Sequence, residues 1–163
     1  MRSVSSSHRL RLLAMAGVLA FVGGIARADT KGFPGAICQP LYPPDNPLGQ
    51  GLFHDNPSIL NGASTDRIVL CPIERDNTGN ANGLLDLTVD VNVSTGPVVC
   101  IALSFSQMGS VIKSVFQQSS GNNVNTTLNF KATLNQSSNL GVYDMQCNLP
   151  SGSSIMSINY NEP

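Results

Sequence analysis

Hydrophobic and polar positions alternate most cleanly in one stretch, and that stretch guides the reading of the rest. Leu85, Leu87, Val89, Val91 and Val93 are separated by Asp86, Thr88, Asp90 and Asn92. A two-residue period belongs to a strand whose successive side chains point to opposite faces, so the segment predicts a half-buried strand with one wet face. Ser94-Thr95-Gly96-Pro97 then supplies a turn. Val98 to Phe105 is apolar on both faces through its first half, the pattern of a central strand. Thr127 to Leu134 alternates again, as does Gly141 to Leu149, where Tyr143, Met145, Cys147 and Leu149 share a face. Ile68 to Cys71 and Ile155 to Tyr160 add strands, and β-branched content favours strand over helix for Val111 to Gln118. No window sustains a 3.6-residue period. The expected fold is all-β, a single antiparallel β-sandwich, with barrel-like closure as the alternative.

The N-terminal part differs in composition. Residues 29–66 are rich in Pro, Gly and Asn, and Gln39 to Pro47 holds four prolines in nine residues. Proline lacks the N–H that a central strand or helix needs, so this part reads as an extended arm packed on the domain and tied down by Cys38. Further upstream, Arg2, His8, Arg9 and Arg11 precede an apolar run from Leu12 to Ile25, and Ala26-Arg27-Ala28 forms a small-x-small pattern. Gly17, Gly23 and Gly24 interrupt the run, which is short of the ~20 apolar residues of a spanning helix. The layout is that of a secretory signal peptide cleaved after Ala28. The expected organisation is a signal peptide at 1–28, the arm at 29–66 and the sandwich core at 67–163. The processed chain is expected to be secreted or periplasmic and not membrane-spanning.

Charge narrows the partners. Without residues 1–28, 135 of the 163 residues remain, with five Lys/Arg against ten Asp/Glu and a net charge of −5. Nucleic-acid binding needs clustered cations, so nucleic acid is excluded as an expected partner. Charged residues make up only 12% of the full chain and Asn supplies 16 residues, so solubility rests on amides and hydroxyls.

All four cysteines, Cys38, Cys71, Cys100 and Cys147, lie after the signal segment. An even count in an exported chain predicts two disulfides, and four cysteines leave three pairings open. Position within the strands favours Cys38–Cys71 with Cys100–Cys147. A zinc site lacks its C-x-x-C spacing.

Catalytic chemistry finds little to use. His54 is the only histidine outside the signal segment. With Asp55 it is a candidate orienting pair, and Glu74 and Asp76 are candidate acids, but no nucleophile motif accompanies them. Asp86 and Asp90 share a strand face about 13 Å apart, beyond the roughly 5–9.5 Å of a glycosidase pair. A weak calcium candidate comprises Asp76, Asn80, Asn82 and Asp86; with Gly83 as the loop glycine, Thr78 and Val89 stand where carboxylates are required. No metal or cofactor is therefore expected. Tyr143 reads as core, whereas Tyr42 and Tyr160 are candidates for exposed aromatics that a glycan could stack on. Glycosylation sequons occur at Asn92, Asn125 and Asn135.

The spacing Cys71-Pro72-Ile73, Val99-Cys100, Tyr143 to Cys147, Leu149-Pro150 and Glu162 resembles a loose group of small, largely uncharacterised exported bacterial proteins. The resemblance covers about the last 90 residues and implies an all-β exported domain with two disulfides. It brings no catalytic residues. The expected function is a non-enzymatic binding or envelope-associated module with a protein or glycan partner. The alternatives are a fimbria-like assembly subunit and a hydrolase using His54 and Asp55.

Overall fold

The computed structural model describes residues 29–74, 84, 86–130 and 142–162. They form two antiparallel sheets that face each other and do not close into a barrel. The first sheet runs β3 (Leu52–Asp55), β4 (Ser58–Asn61), β11 (Ser154–Glu162), β6 (Asp86–Val93), β9 (Val124–Asn129). The strand β1 (Asp29–Pro34) pairs with the far half of β11. The second sheet runs β2 (Gln39–Pro40), β5 (Arg67–Ile73), β10 (Val142–Leu149), β7 (Val99–Phe105), β8 (Val111–Gln118).

The alternating residues of β6 behave as their period requires. Leu87, Val89, Val91 and Val93 are buried, and the polar residues between them are half-exposed. From the opposite sheet Val69, Cys71, Ala102, Met145, Cys147 and Leu149 complete a dry core. The turn at Ser94 to Pro97 carries the chain from one sheet to the other. β9 begins at Val124, three residues before the alternation of Thr127 to Leu134, of which residues 131–134 lie outside the described residues.

The proline-rich segment enters the fold more fully than an arm lying on its surface. It supplies β1 and the β3–β4 hairpin to the first sheet and β2 to the second. All are short or peripheral, as sparse backbone donors dictate. A single 3₁₀ turn, Gly35–Ile37, carries the chain between the sheets. Gly35 is required there because a Cβ would collide with the carbonyl of Ile155 on β11.

Both disulfides lie within the second sheet. Cys100 of β7 stands directly opposite Cys147 of β10, with Cα atoms 4.1 Å apart. Cys38, just before β2, reaches Cys71 of β5 across the same Cα separation of 4.1 Å. Such close approach suits non-hydrogen-bonded antiparallel pairs. The two bridges therefore staple neighbouring strands of one sheet, and hydrophobic packing holds the two sheets together.

Asn61 closes one end of the sandwich. It is fully buried, and its Nδ2 donates to the carbonyls of Thr65 (2.9 Å) and Leu149 (2.7 Å). Its Oδ1 accepts from the Ala63 N–H at 2.9 Å. One side chain thereby fixes the loop after β4 against the end of β10.

Candidate functional site

The two outer faces differ in chemistry. On the first sheet the outward positions are polar across three strands: Thr88, Asp90 and Asn92 on β6, Ser157 and Asn159 on β11, Asn125, Thr127 and Asn129 on β9. Asp90 is the hub. Thr127 Oγ1 donates to Oδ1 at 2.6 Å, and Ser157 Oγ donates to Oδ2 at 2.6 Å. A shallow groove of about 410 Å³ runs beside it, lined by Asp90, Asn125, Thr126, Thr127, Met156 and Ser157. Here the carboxylate already serves as acceptor for its own neighbours, so it is a cross-strand fastener.

The second sheet carries apolar side chains on its outer face as well, on β5 and on β7, with the outward Asp144, Gln146 and Asn148 of β10 between them. Beneath lies the core. Outward, β7 presents Val99, Ile101, Leu103 and Phe105, and β5 presents Ile68, Leu70 and Pro72. Val142 on β10 and Phe116 on β8 continue the surface, 54% and 56% exposed, and Ile101 is 38% exposed. Ile68, Val99 and Ile101 with Gln146, Cys147 and Asn148 line a shallow cleft of about 110 Å³. The outer face of a solvated antiparallel sheet is ordinarily polar. Apolar side chains exposed together on such a face mark an interaction site.

Asp144 sits inside this surface, opposite Leu103 on one side and Pro72 on the other. Partial burial disfavours its charged form and raises its pKa above the ordinary aspartate range. The neighbouring outward positions on β10 are the amides Gln146 and Asn148, and the latter donates to Asp66 Oδ2 at the rim at 2.8 Å.

The residues singled out from the sequence are not brought together. His54 and Asp55 lie exposed on the outer strand β3, alongside the β4 segment that pairs with the start of β11. Glu74 follows β5, where its carbonyl accepts from the Tyr160 hydroxyl at 2.6 Å. Residues 154 and 160 of β11 are roughly 20 Å apart at strand rise, so these groups occupy opposite ends of the sandwich. Asp76, Asn80 and Asn82 of the calcium candidate, the cleavage residues Ala26 and Ala28, and Asn135 lie outside the described residues. Asp86 opens β6, and β5 and β6, which flank the candidate loop, belong to different sheets rather than to one hairpin. Among the described residues no group of three His, Cys, Asp or Glu side chains is placed to share a metal.

The aromatic expectation needs one correction. Tyr160 is buried, not exposed. Phe33 of β1 stacks on its ring at a centroid distance of 5.6 Å, and Lys31 Nζ lies 5.8 Å from its centroid while pairing with Glu162 at 3.7 Å. Tyr143 is also buried, its hydroxyl accepting from the Leu84 N–H at 3.1 Å. Neither offers a stacking platform.

The apolar face is thus the feature that sequence reasoning missed. Its signal was present in Val98 to Phe105, where apolar residues of both parities suggested a strand covered on both sides. The strand is central within its sheet, but none of the described residues forms a layer over its outer face. No protein-family model matches the chain, and no curated protein matches it in sequence.

Proposed function

We propose that the protein is an exported, disulfide-stapled, non-enzymatic β-sandwich that acts as a binding module in the periplasm or outside the cell. Its docking surface is the outer face of the second sheet, and its partner is a protein with a complementary apolar surface. The observation that carries this reading is the contrast between the outer faces, one polar and internally fastened, the other apolar around Ile101 and Leu103. Exposed apolar side chains on a strand contribute little to folding and become useful when covered, at roughly 25 cal/mol per Å². A glycan is the weaker partner, because most outward apolar side chains of the face are aliphatic, with Phe105 and Phe116 its only rings among the described residues.

Export is supported by the basic, apolar and small-x-small segments before Asp29 and by two disulfides, which persist in oxidising compartments. Intact-mass analysis of the protein recovered from outside the cytoplasm should place its N-terminus at Asp29. The face is tested with Nile red, a neutral polarity-sensitive dye, added to the folded oxidised chain. Saturable binding that is lost in Ile101→Asn and retained in Thr127→Ala supports the assignment. Binding unchanged in Ile101→Asn removes it.

A further inference from the structure

The free edge of the second sheet offers a separate surface. β8 pairs with β7 and with no other strand among the described residues. Exposed edges are ordinarily blunted by shortness, proline or charge. β2 has two residues and a proline, and β3 has four residues ending in His54-Asp55. β9 turns mostly polar side chains outward. β8 has eight residues, Val111-Ile112-Lys113-Ser114-Val115-Phe116-Gln117-Gln118, with no proline and one charge.

The ladder to β7 identifies its outward backbone groups. The Ser119 N–H donates to the Val98 carbonyl at 2.9 Å, and register is regular from Val99–Gln118 to Ser104–Lys113. Hydrogen-bonded pairs recur every second residue in an antiparallel ladder. Gln117, Val115 and Lys113 therefore spend their N–H and C=O groups on β7, whereas Ser114, Phe116 and Gln118 direct theirs to the free edge. The register shift beside Phe105 limits the regular edge to residues 113–118.

We propose that two copies of the chain join through this edge, antiparallel about a twofold axis at Val115, so that two five-stranded sheets become one of ten. Pairing across a twofold perpendicular to the sheet requires that opposed residues share a face, which restricts the axis to a residue position. An axis at Lys113 opposes two ammonium groups. An axis at Val115 places Lys113 opposite Gln117 of the second copy and Ser114 opposite Phe116. The two Phe116 rings then become diagonal neighbours on the outer face, within reach of aromatic contact. Val115, which already packs against the core margin, meets its own copy and closes the open side of that margin. The Phe116 side chain, 56% exposed in one copy, gains cover. Register and apolar cover both favour a second copy as the occupant. The edge shares Phe116 with the docking face, and Ser114→Pro separates the two, because it removes an edge N–H and keeps Ile101, Leu103 and Phe116 in place.

The test uses the oxidised processed chain over a hundredfold concentration range in sedimentation velocity, with Ser114→Pro and Phe116→Lys beside it. Proline at position 114 removes an outward N–H and spares the ladder to β7. A species of doubled mass that disappears in both variants, with circular dichroism unchanged, is expected. Val115→Cys then locates the axis, because a non-hydrogen-bonded pair about the twofold brings its Cα atoms to about 4.5 Å, within disulfide range. Non-reducing electrophoresis should show a covalent dimer for Val115→Cys and none for Ser114→Cys. A wild-type chain that stays monomeric, or a dimer that survives Ser114→Pro, overturns the proposal. Cross-linking at position 114 in place of 115 overturns the stated axis and with it the pairing.

Discussion

Replacing Asn61 with alanine should be among the most damaging single substitutions outside the apolar core. The side chain is 0% exposed and bonds three backbone groups. Alanine leaves all three without that partner. The Leu149 carbonyl lies in a buried environment, so its desolvation costs about 1–3 kcal/mol. The Thr65 carbonyl and the Ala63 N–H are only partly buried and can recover water; losing those two bonds costs about 0.5–1.5 kcal/mol each. The total is roughly 2–6 kcal/mol. With a urea m value of about 2 kcal/mol/M, the midpoint should fall by roughly 1–3 M at unchanged m. Asn61→Asp is the informative companion. It keeps the acceptor for Ala63 but turns a carboxylate oxygen towards two carbonyls, so at neutral pH it should be at least as destabilised as Asn61→Ala. A loss below about 1 kcal/mol for Asn61→Ala, or an Asp variant close to wild type, would refute the assignment of Asn61 as the clamp at this end of the sandwich.

Other substitutions probe the disulfides, the turn at Gly35 and the half-buried Asp144. Replacing Cys100 and Cys147 together with alanine opens a loop of 47 residues and should cost about 4 kcal/mol in the chain-entropy treatment; the 33-residue separation of Cys38 and Cys71 gives slightly less. Denaturant unfolding of each double variant checks both figures. Gly35→Ala should destabilise by about 3 kcal/mol or more, because the collision is with backbone that cannot swing away; a thermal midpoint within a few degrees of wild type would contradict it. Asp144 binds its proton more readily in the folded chain than in the unfolded one. Stability is therefore lost as pH rises from the ordinary aspartate range through the raised folded value, and the penalty is complete above it. Asp144→Asn should be the more stable protein at neutral pH, with the difference vanishing in acid, as paired thermal melts across pH would show.

Much of the fold was legible because it is local. The alternation in Leu87 to Val93 and in Tyr143 to Leu149 fixes which side chains face the core, whatever their partners. The positions of the cysteines within those patterns narrowed the disulfide reading for the same reason. What escaped was decided by distant parts of the chain. Tyr160 looks like an exposed terminal aromatic until β1 folds back along β11 and Phe33 stacks on it. β1 itself, Asp29–Pro34, has no alternation to betray it, because β11 supplies its partner backbone. The apolar outer face could not be told from a buried one, since a strand apolar on both sides reads identically whether or not a layer covers it.

The most direct test of the docking face is photocrosslinking in the exporting cell. A photoreactive phenylalanine analogue is placed at position 101 on the apolar face and, in a separate chain, at position 92 on the polar face. A discrete cross-linked product is expected from position 101, abolished when Leu103→Asp is added, and no such product from position 92. Equal products from both positions, or a product from position 101 indifferent to Leu103→Asp, would contradict the claim that this face is where the protein binds.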